Sequence, residues 1–370
     1  MSGDVAVAVR NPVITAWSAV SPFGIGRQAF AKGLLEGGET AAPVDREQWQ
    51  VPDERARLVP GFTPREALGR KGTRSMDRVT GLAVSAVGAL LDDAERNREV
   101  ATGERGAVVL GTTTGSAQSM MDFTRDSLTG AKPYFVDPAQ MPNTVMNCAA
   151  GQCAIWHQIK GPNASIAGGR PAGLLALNYA RRLLSGGRAS SVLCGSAEEY
   201  SDERSWLEWH TRPSGTEPAV LGEGAGMVLL ESEDDVDSEH VLAEVLAVES
   251  GVFGAQAPNA LPDVLAACLR RAMDRAGVDA AQVWAASPCS ATDAFGEQER
   301  DVLVGMFGPG TLEPLRNTAL FGDASAASVS LQIASVLAVA ERTPDVAGRV
   351  AVVTAVERDG GVGCALLRLR

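Results

Sequence analysis

The chain is poor in the residues that most often mark chemistry or destination. It has three histidines and six cysteines in 370 residues, and no two cysteines are spaced as Cys-x-x-Cys. The cysteines stand at 148, 153, 194, 268, 289 and 364, mostly among apolar or small neighbours and away from the histidines. That pattern argues against a metal centre or a disulfide framework and for reduced, buried thiols. Lysine is scarce, four against 29 arginines, no basic run occurs, and the net charge is −12. Nucleic acid is thereby a poor ligand class. No apolar stretch is long enough to span a bilayer, and residues 1–10 lack the apolar core of a secretory signal. The expectation is a soluble cytoplasmic protein with no membrane contact.

What the chain does have is apolar runs and glycine. Hydrophobic residues make up 45% and there are 40 glycines, enough for a large core with many tight turns. Runs at 13–16, 107–110, 191–194, 226–231, 242–248, 283–286, 350–356 and 364–369 read as buried strands. Between them, 76–94, 173–184, 261–276 and 324–340 carry helical periodicity. This alternation predicts an α/β protein. The halves look related: "IAGGRPAGLLALNYARRLL" precedes "GGRASSVLCGSAEE", and "LFGDASAASVSLQIASVLAV" precedes "AGRVAVVTAVERDGG". A duplicated half-domain is the natural reading, divided near the acidic stretch 231–239 into residues 1–235 and 236–370. Residues 40–60 and 200–220 read as irregular surface insertions.

Within the first half, "SIAGGRPAGLL" reads as a strand end, a glycine pair and a helix start. Enzymes place nucleophiles at such elbows, because free N–H groups and the helix dipole stabilise a thiolate or an oxyanion. Here the elbow carries Arg170, followed by Pro171. A guanidinium stays protonated and cannot attack a carbonyl.

Five segments, in order, carry a resemblance: "VITAWSAVSPFGIGRQAFAKGLLEG", "RSMDRVTGLAVSAVGALLDDA", "MPNTVMNCAAGQCAIWHQIKGPN", "LGEGAGMVLLE" and "RDGGVG". Together they resemble the β-ketoacyl synthases of the thiolase superfamily. The resemblance implies a thiolase-like fold, with duplicated halves in a layered α-β-α-β-α arrangement. It also implies one cysteine and two histidines as catalytic groups. By motif, the cysteine position falls on Arg170, the first histidine most nearly on Cys289, and the second most nearly on Gly322. The charged "VERDGG" stands where the family has an aromatic gate. A chain with all three groups replaced is similar to the chain length factor, the β subunit of type II polyketide ketosynthases.

That likeness implies a chain without catalytic residues of its own, paired with a catalytic ketosynthase α subunit and shaping the tunnel for a growing polyketide. No cofactor or metal is implied. Substrates arrive on the phosphopantetheine arm of an acyl carrier protein, which docks mainly on the partner; Arg181, Arg182 and Arg188 form only a small basic cluster here. Glu357 and Asp359 are candidate partners for a buried Arg170. After "LGTTTGS", the helical stretch 117–128 carries Met120, Met121 and Phe123; with Tyr134 and Phe135 these are candidates for the tunnel or interface, with ordinary core packing as the alternative. The sequence leans towards a reduced, polyene-type product over an aromatic one. A stand-alone acyltransferase or decarboxylase would need Cys289, Cys153 or Cys194 accessible and activated. A degenerate homodimeric scaffold is the third reading. His157, His210 and His240 match no catalytic motif, and Asp293 with Glu297 reads as a surface turn rather than an acid–base pair.

Overall fold

The structure is a computed structural model that describes residues 11–212, 219–254, 257–289 and 294–370. Its strands are β1 (Pro12–Ser21), β2 (Gly24–Ile25), β3 (Ala42–Pro43), β4 (Arg55–Ala56), β5 (Gly106–Thr112), β6 (Asn163–Ala167), β7 (Ser191–Glu198), β8 (Gly224–Ser232), β9 (Ala243–Val252), β10 (Val283–Ser287), β11 (Val350–Val356) and β12 (Gly361–Leu369). The helices are α1 (Arg27–Glu36), α2 (Pro64–Leu68), α3 (Arg78–Asp93), α4 (Glu95–Ala101), α5 (Ala117–Thr129), α6 (Cys148–His157), α7 (Ala172–Ser185), α8 (Asp202–Thr211), α9 (Leu261–Ala276), α10 (Ala294–Phe307) and α11 (Ser328–Ala340).

The apolar runs form one continuous sheet in the order β10-β11-β12-β9-β1-β8-β7-β5-β6. Strands buried on both faces read as unbroken apolar runs; "VAVVTAV" in β11 is buried at every position. On one side of the centre, β5 and β7 pair in parallel, β7 with β8 and β8 with β1 antiparallel. On the other, β10 and β11 pair in parallel, β11 with β12 and β12 with β9 antiparallel. The same path therefore occurs twice, and the two copies join where Val13 and Ile14 of β1 face Glu244 and Ala243 of β9. Position 235/236 lies in the turn between β8 and β9.

Burial assigns the helices to layers. Every residue of α11 from Ser328 to Ala338 is buried. A helix that is apolar or small all round belongs inside a protein, and α11 packs with α7 between the two parts of the sheet. Helices α3 and α6 cover the outer face of the first part, α9 and α10 that of the second. The resulting order is helix, sheet, helix, sheet, helix. Helix α3 starts where Asp77 Oδ1 accepts from Thr80 N at 2.8 Å. Helix α9 stops where Gly277 turns left-handed, at φ +60.

The segments read as surface insertions are instead partly core. Val44, Val51, Ala56, Tyr200 and Leu221 form a separate apolar cluster. Tyr200 is fully buried, and its hydroxyl donates to Asp53 Oδ2 at 3.0 Å. Residues 202–211 form α8, whose cap Ser201 accepts from Arg204 N at 3.3 Å. Glu231, read from sequence as the end of a strand and the start of the dividing stretch, lies inside β8 and is ion-paired with Arg96 at 2.9 Å.

Candidate functional site

Strand β6 pairs in parallel with β5 and ends at Ala167. Gly168 N then donates to Thr112 O at 3.1 Å, and Gly169 turns left-handed at φ +58. Arg170 and Pro171 lead directly into α7. A side chain at 169 would put its Cβ 2.3 Å from Glu357 Oε2. The glycine thus serves both the turn and the close approach of the C-terminal loop.

Arg170 is 4% exposed. Its Nη2 donates to Asp323 Oδ2 at 2.5 Å and its Nη1 to Glu357 Oε1 at 3.0 Å. The backbone N–H of Arg170 donates to the other Glu357 oxygen at 2.9 Å. One carboxylate thereby holds both the side chain and the main chain of the elbow residue. Asp323 is held in turn: its carboxylate accepts from Ser325 N at 3.1 Å, and its carbonyl accepts from the buried Arg204 at 2.7 Å. Burial alone would raise the Asp323 carboxyl, but the Arg170 and Arg204 guanidinium groups outweigh it and hold it at about 2. Burial likewise opposes the charge on Arg170, and Asp323 and Glu357 overcome it, so the guanidinium stays protonated.

Cys289 lies beside this network, 3% exposed. Its thiol donates to Glu299 Oε2 at 3.2 Å, and Thr354 Oγ1 donates to Glu299 Oε1 at 2.6 Å. Burial and the neighbouring Glu299 carboxyl hold the thiol well above its ordinary range. Burial also raises Cys153, to about 12, and Cys194 further still. None of the three thiols has the electropositive, accessible setting that makes a thiolate. His157 is a packing histidine: its ring meets Val84 O at 3.0 Å, and burial lowers its pKa. Glu297 sits exposed in the first turn of α10, and Asp293 lies outside the described residues.

Two sequence expectations need correction. Gly322, named for the second histidine, contributes only a turn at φ +70; the side chain that enters the site belongs to its neighbour Asp323. Asp359 does not pair with Arg170; its carboxylate instead accepts from Gly361 N at 3.2 Å, closing the local turn. Asp323, Arg204 and Glu299 were missed; Asp323 is a lone charge in the small-residue stretch "FGDASAAS", whereas Arg204 and Glu299 stand among other charged residues on α8 and α10 and only their burial sets them apart.

The tunnel candidates lie apart from the Arg170 network. Met120, Met121 and Phe123 are half-buried on α5, and none joins the apolar clusters of the core. Tyr134 and Phe135 are 68% and 58% exposed, with ring centroids 5.2 Å apart. The start of α5 is anchored in the interior. Its cap Ser116 accepts from Ser119 N at 3.1 Å and donates to Glu199 Oε1 at 3.0 Å. Burial, with Asp77 nearby, pushes the Glu199 carboxyl up to about 8.

The layered fold and its elbow have counterparts among known proteins. The family model "Beta-ketoacyl synthase, N-terminal domain" matches residues 10–236. This chain belongs to the beta-ketoacyl synthase family. A solved structure entitled "The ishigamide ketosynthase/chain length factor" shares 48% identity with it at a TM-score of 0.92, over 97% of this chain and 99% of the other. By motif, the elbow that carries Arg170 is where the family's cysteine is expected. The 3-oxoacyl-[acyl-carrier-protein] synthase 2 of Rhizobium meliloti (strain 1021) is 27% identical over 74% of this chain and 72% of its own length. The enzyme of the same name from Vibrio harveyi is 26% identical, over 66% of this chain and 62% of its own. A type II PKS acyl-carrier protein in complex with its ketosynthase, AntDE:AntF, shares the fold at 18% identity and a TM-score of 0.78.

Proposed function

We propose that this chain is the non-catalytic, chain-length-determining subunit of a type II ketosynthase pair, built from halves 1–235 and 236–370. The observation that carries the reading is Arg170: the residue at the elbow is a guanidinium locked between Asp323 and Glu357. No thiol is poised there, and Cys153, Cys194 and Cys289 are buried where ionisation is disfavoured. The likeness to a ketosynthase/chain length factor structure at 48% identity supports it. The curated relatives bear the names of synthases, but the stand-alone enzyme reading finds no activated thiol to use.

The surface supports a partner. Strand β6 is the last strand of the sheet on its side and leaves an edge open to pairing. On the stretch 128–155 that precedes it in the chain, Leu128, Tyr134, Phe135, Met141, Met146 and Ile155 are all exposed, and exposed apolar surface of this kind suits an interface. A catalytic ketosynthase subunit fits this face, with α5 brought to the tunnel wall. Its carrier protein presents the chain on a phosphopantetheine arm and docks mainly on that subunit. The product is a reduced, polyene-type polyketide. No cofactor or metal is assigned to this chain, and it works in the cytoplasm.

Co-expression with an intact cysteine–histidine–histidine ketosynthase tests the reading. The two chains should purify as a 1:1 heterodimer, and elongated product should form only when both are present. Condensation by this chain alone, or a stable homodimer that ignores the ketosynthase, would overturn it.

A further inference from the structure

We infer that Glu357 acts as an internal acyl-excluding group, its carboxylate occupying the elbow N–H that a thioester oxygen would need. The inference rests on the non-catalytic reading and adds a second barrier behind the missing thiol. In acyl transfer at such an elbow, a thiolate attacks the thioester carbonyl carbon and a new C–S bond forms. The carbonyl oxygen takes the negative charge. Collapse then expels the pantetheine thiolate, which picks up a proton. The oxyanion needs preorganised donors, commonly backbone N–H groups.

Here the N–H of residue 170 already donates to Glu357 Oε2 at 2.9 Å. The carboxylate is held from other sides as well. Its Oε1 accepts from Arg358 N at 2.9 Å and from Arg170 Nη1 at 3.0 Å. Glu357 N donates to Gly361 O at 2.7 Å, which fixes the loop. Gly169 has no Cβ to fend the carboxylate off. An acyl oxygen developing negative charge would therefore meet a full negative charge at the place where donors belong. Most of this hold survives loss of the Arg170 side chain, because two of the donors are main-chain groups. A thiol introduced at 170 would also face the carboxylates of Asp323 and Glu357, which disfavour its ionisation.

The test uses the full chain carrying Arg170→Cys, alone or combined with Glu357→Gln or Glu357→Gly. Octanoyl-pantetheine serves as acyl probe and iodoacetamide as thiol probe. Adducts are mapped on the peptide containing residue 170, because Cys148 is also partly exposed. Arg170→Cys alone should take no octanoyl group. Adding Glu357→Gln should speed alkylation on the order of tenfold, the effect of about one unit in thiol pKa. Adding Glu357→Gly should yield an octanoyl adduct at residue 170. The isosteric glutamine keeps the test valid if the glycine variant fails to fold. Equal acylation, or equal alkylation, with and without Glu357 would overturn the proposal. Failure of the subunit reading registers elsewhere, as condensation by the unaltered chain or absence of pairing.

Discussion

At the elbow, Arg170 is 4% exposed and two carboxylates hold its guanidinium. Along residues 128–155 of the same half, Leu128, Tyr134 and Ile155 are 80%, 68% and 68% exposed and face solvent. The first region is polar, buried and ion-paired, although Arg170 Nε has no hydrogen-bond partner among the described residues; the second is apolar and open. A buried charge network is costly to break and gains nothing from a partner. Exposed apolar surface is the reverse, because covering it is favourable and leaving it is not. The contrast sets a charged interior site that the chain closes with its own side chains against an apolar face that it leaves open.

Breaking the sealed side should have the largest effect. Arg170→Met strands Asp323 and Glu357, and removal of one member of a buried ion pair costs about 3–5 kcal/mol. Chemical denaturation should register that loss with no gain of condensing activity; a change under 1 kcal/mol would mean the network does not hold the elbow together.

The elbow and the buried anchor of α5 should differ in pH response, by a few kcal/mol at most. Beneath α5, Glu199 keeps its proton in the folded chain up to about 8, against an ordinary 4.5. Across that interval the unfolded chain binds fewer protons, so this group makes stability fall as pH rises. At the elbow, Asp323 has the opposite sign: held at about 2 against an ordinary 3.8, it contributes about 2 kcal/mol above pH 4 that is lost as pH falls toward 2. Urea midpoints measured between pH 4.5 and 8 should fall less steeply with pH in Glu199→Gln. An unchanged slope over that interval in the variant would remove Glu199 as its source.

On the open side, Ile155→Glu should leave the isolated chain within about 0.5 kcal/mol of the parent, since Ile155 is exposed. It should weaken the heterodimer by about 2 kcal/mol, the scale of an interface hot spot. Chemical denaturation of the isolated chain would read the first and calorimetric titration with the ketosynthase the second, and unchanged affinity would move the interface elsewhere.

Phe123→Ala should cost the chain about 1 kcal/mol, below the 3–5 typical of a fully buried phenylalanine, because Phe123 is half-buried and outside the apolar clusters. Its signature is the product: longer chains by mass spectrometry with an intact heterodimer. Unaltered chain length would exclude Phe123 from the tunnel end.

The main strands and the four helices read from periodicity were legible in the sequence, since burial on both faces leaves unbroken runs such as "VAVVTAV" and burial on one leaves a helical period. The elbow was legible too, as a glycine pair between an extended run and a helix. The partner of Arg170 was only half legible. Glu357 could be named from the charged loop, but Asp323 lies 153 residues from Arg170 along the chain and stands one place beyond the glycine that the motif suggested. Tyr200 was misread because local composition around 40–60 and 200–220 is polar, whereas its burial comes from residues of both segments together.

By itself, then, the sequence determined the alternation of strands and helices of an α/β protein and the absence of a nucleophile at the elbow, because hydrophobic periodicity and residue identity are local properties; the layered plan came from the family resemblance. Only the tertiary structure decided what fills the elbow, which thiols are silenced and which apolar residues stay outside. Those depend on contacts between segments far apart in the chain, where a shift of one position exchanges a bare glycine for the carboxylate that holds Arg170.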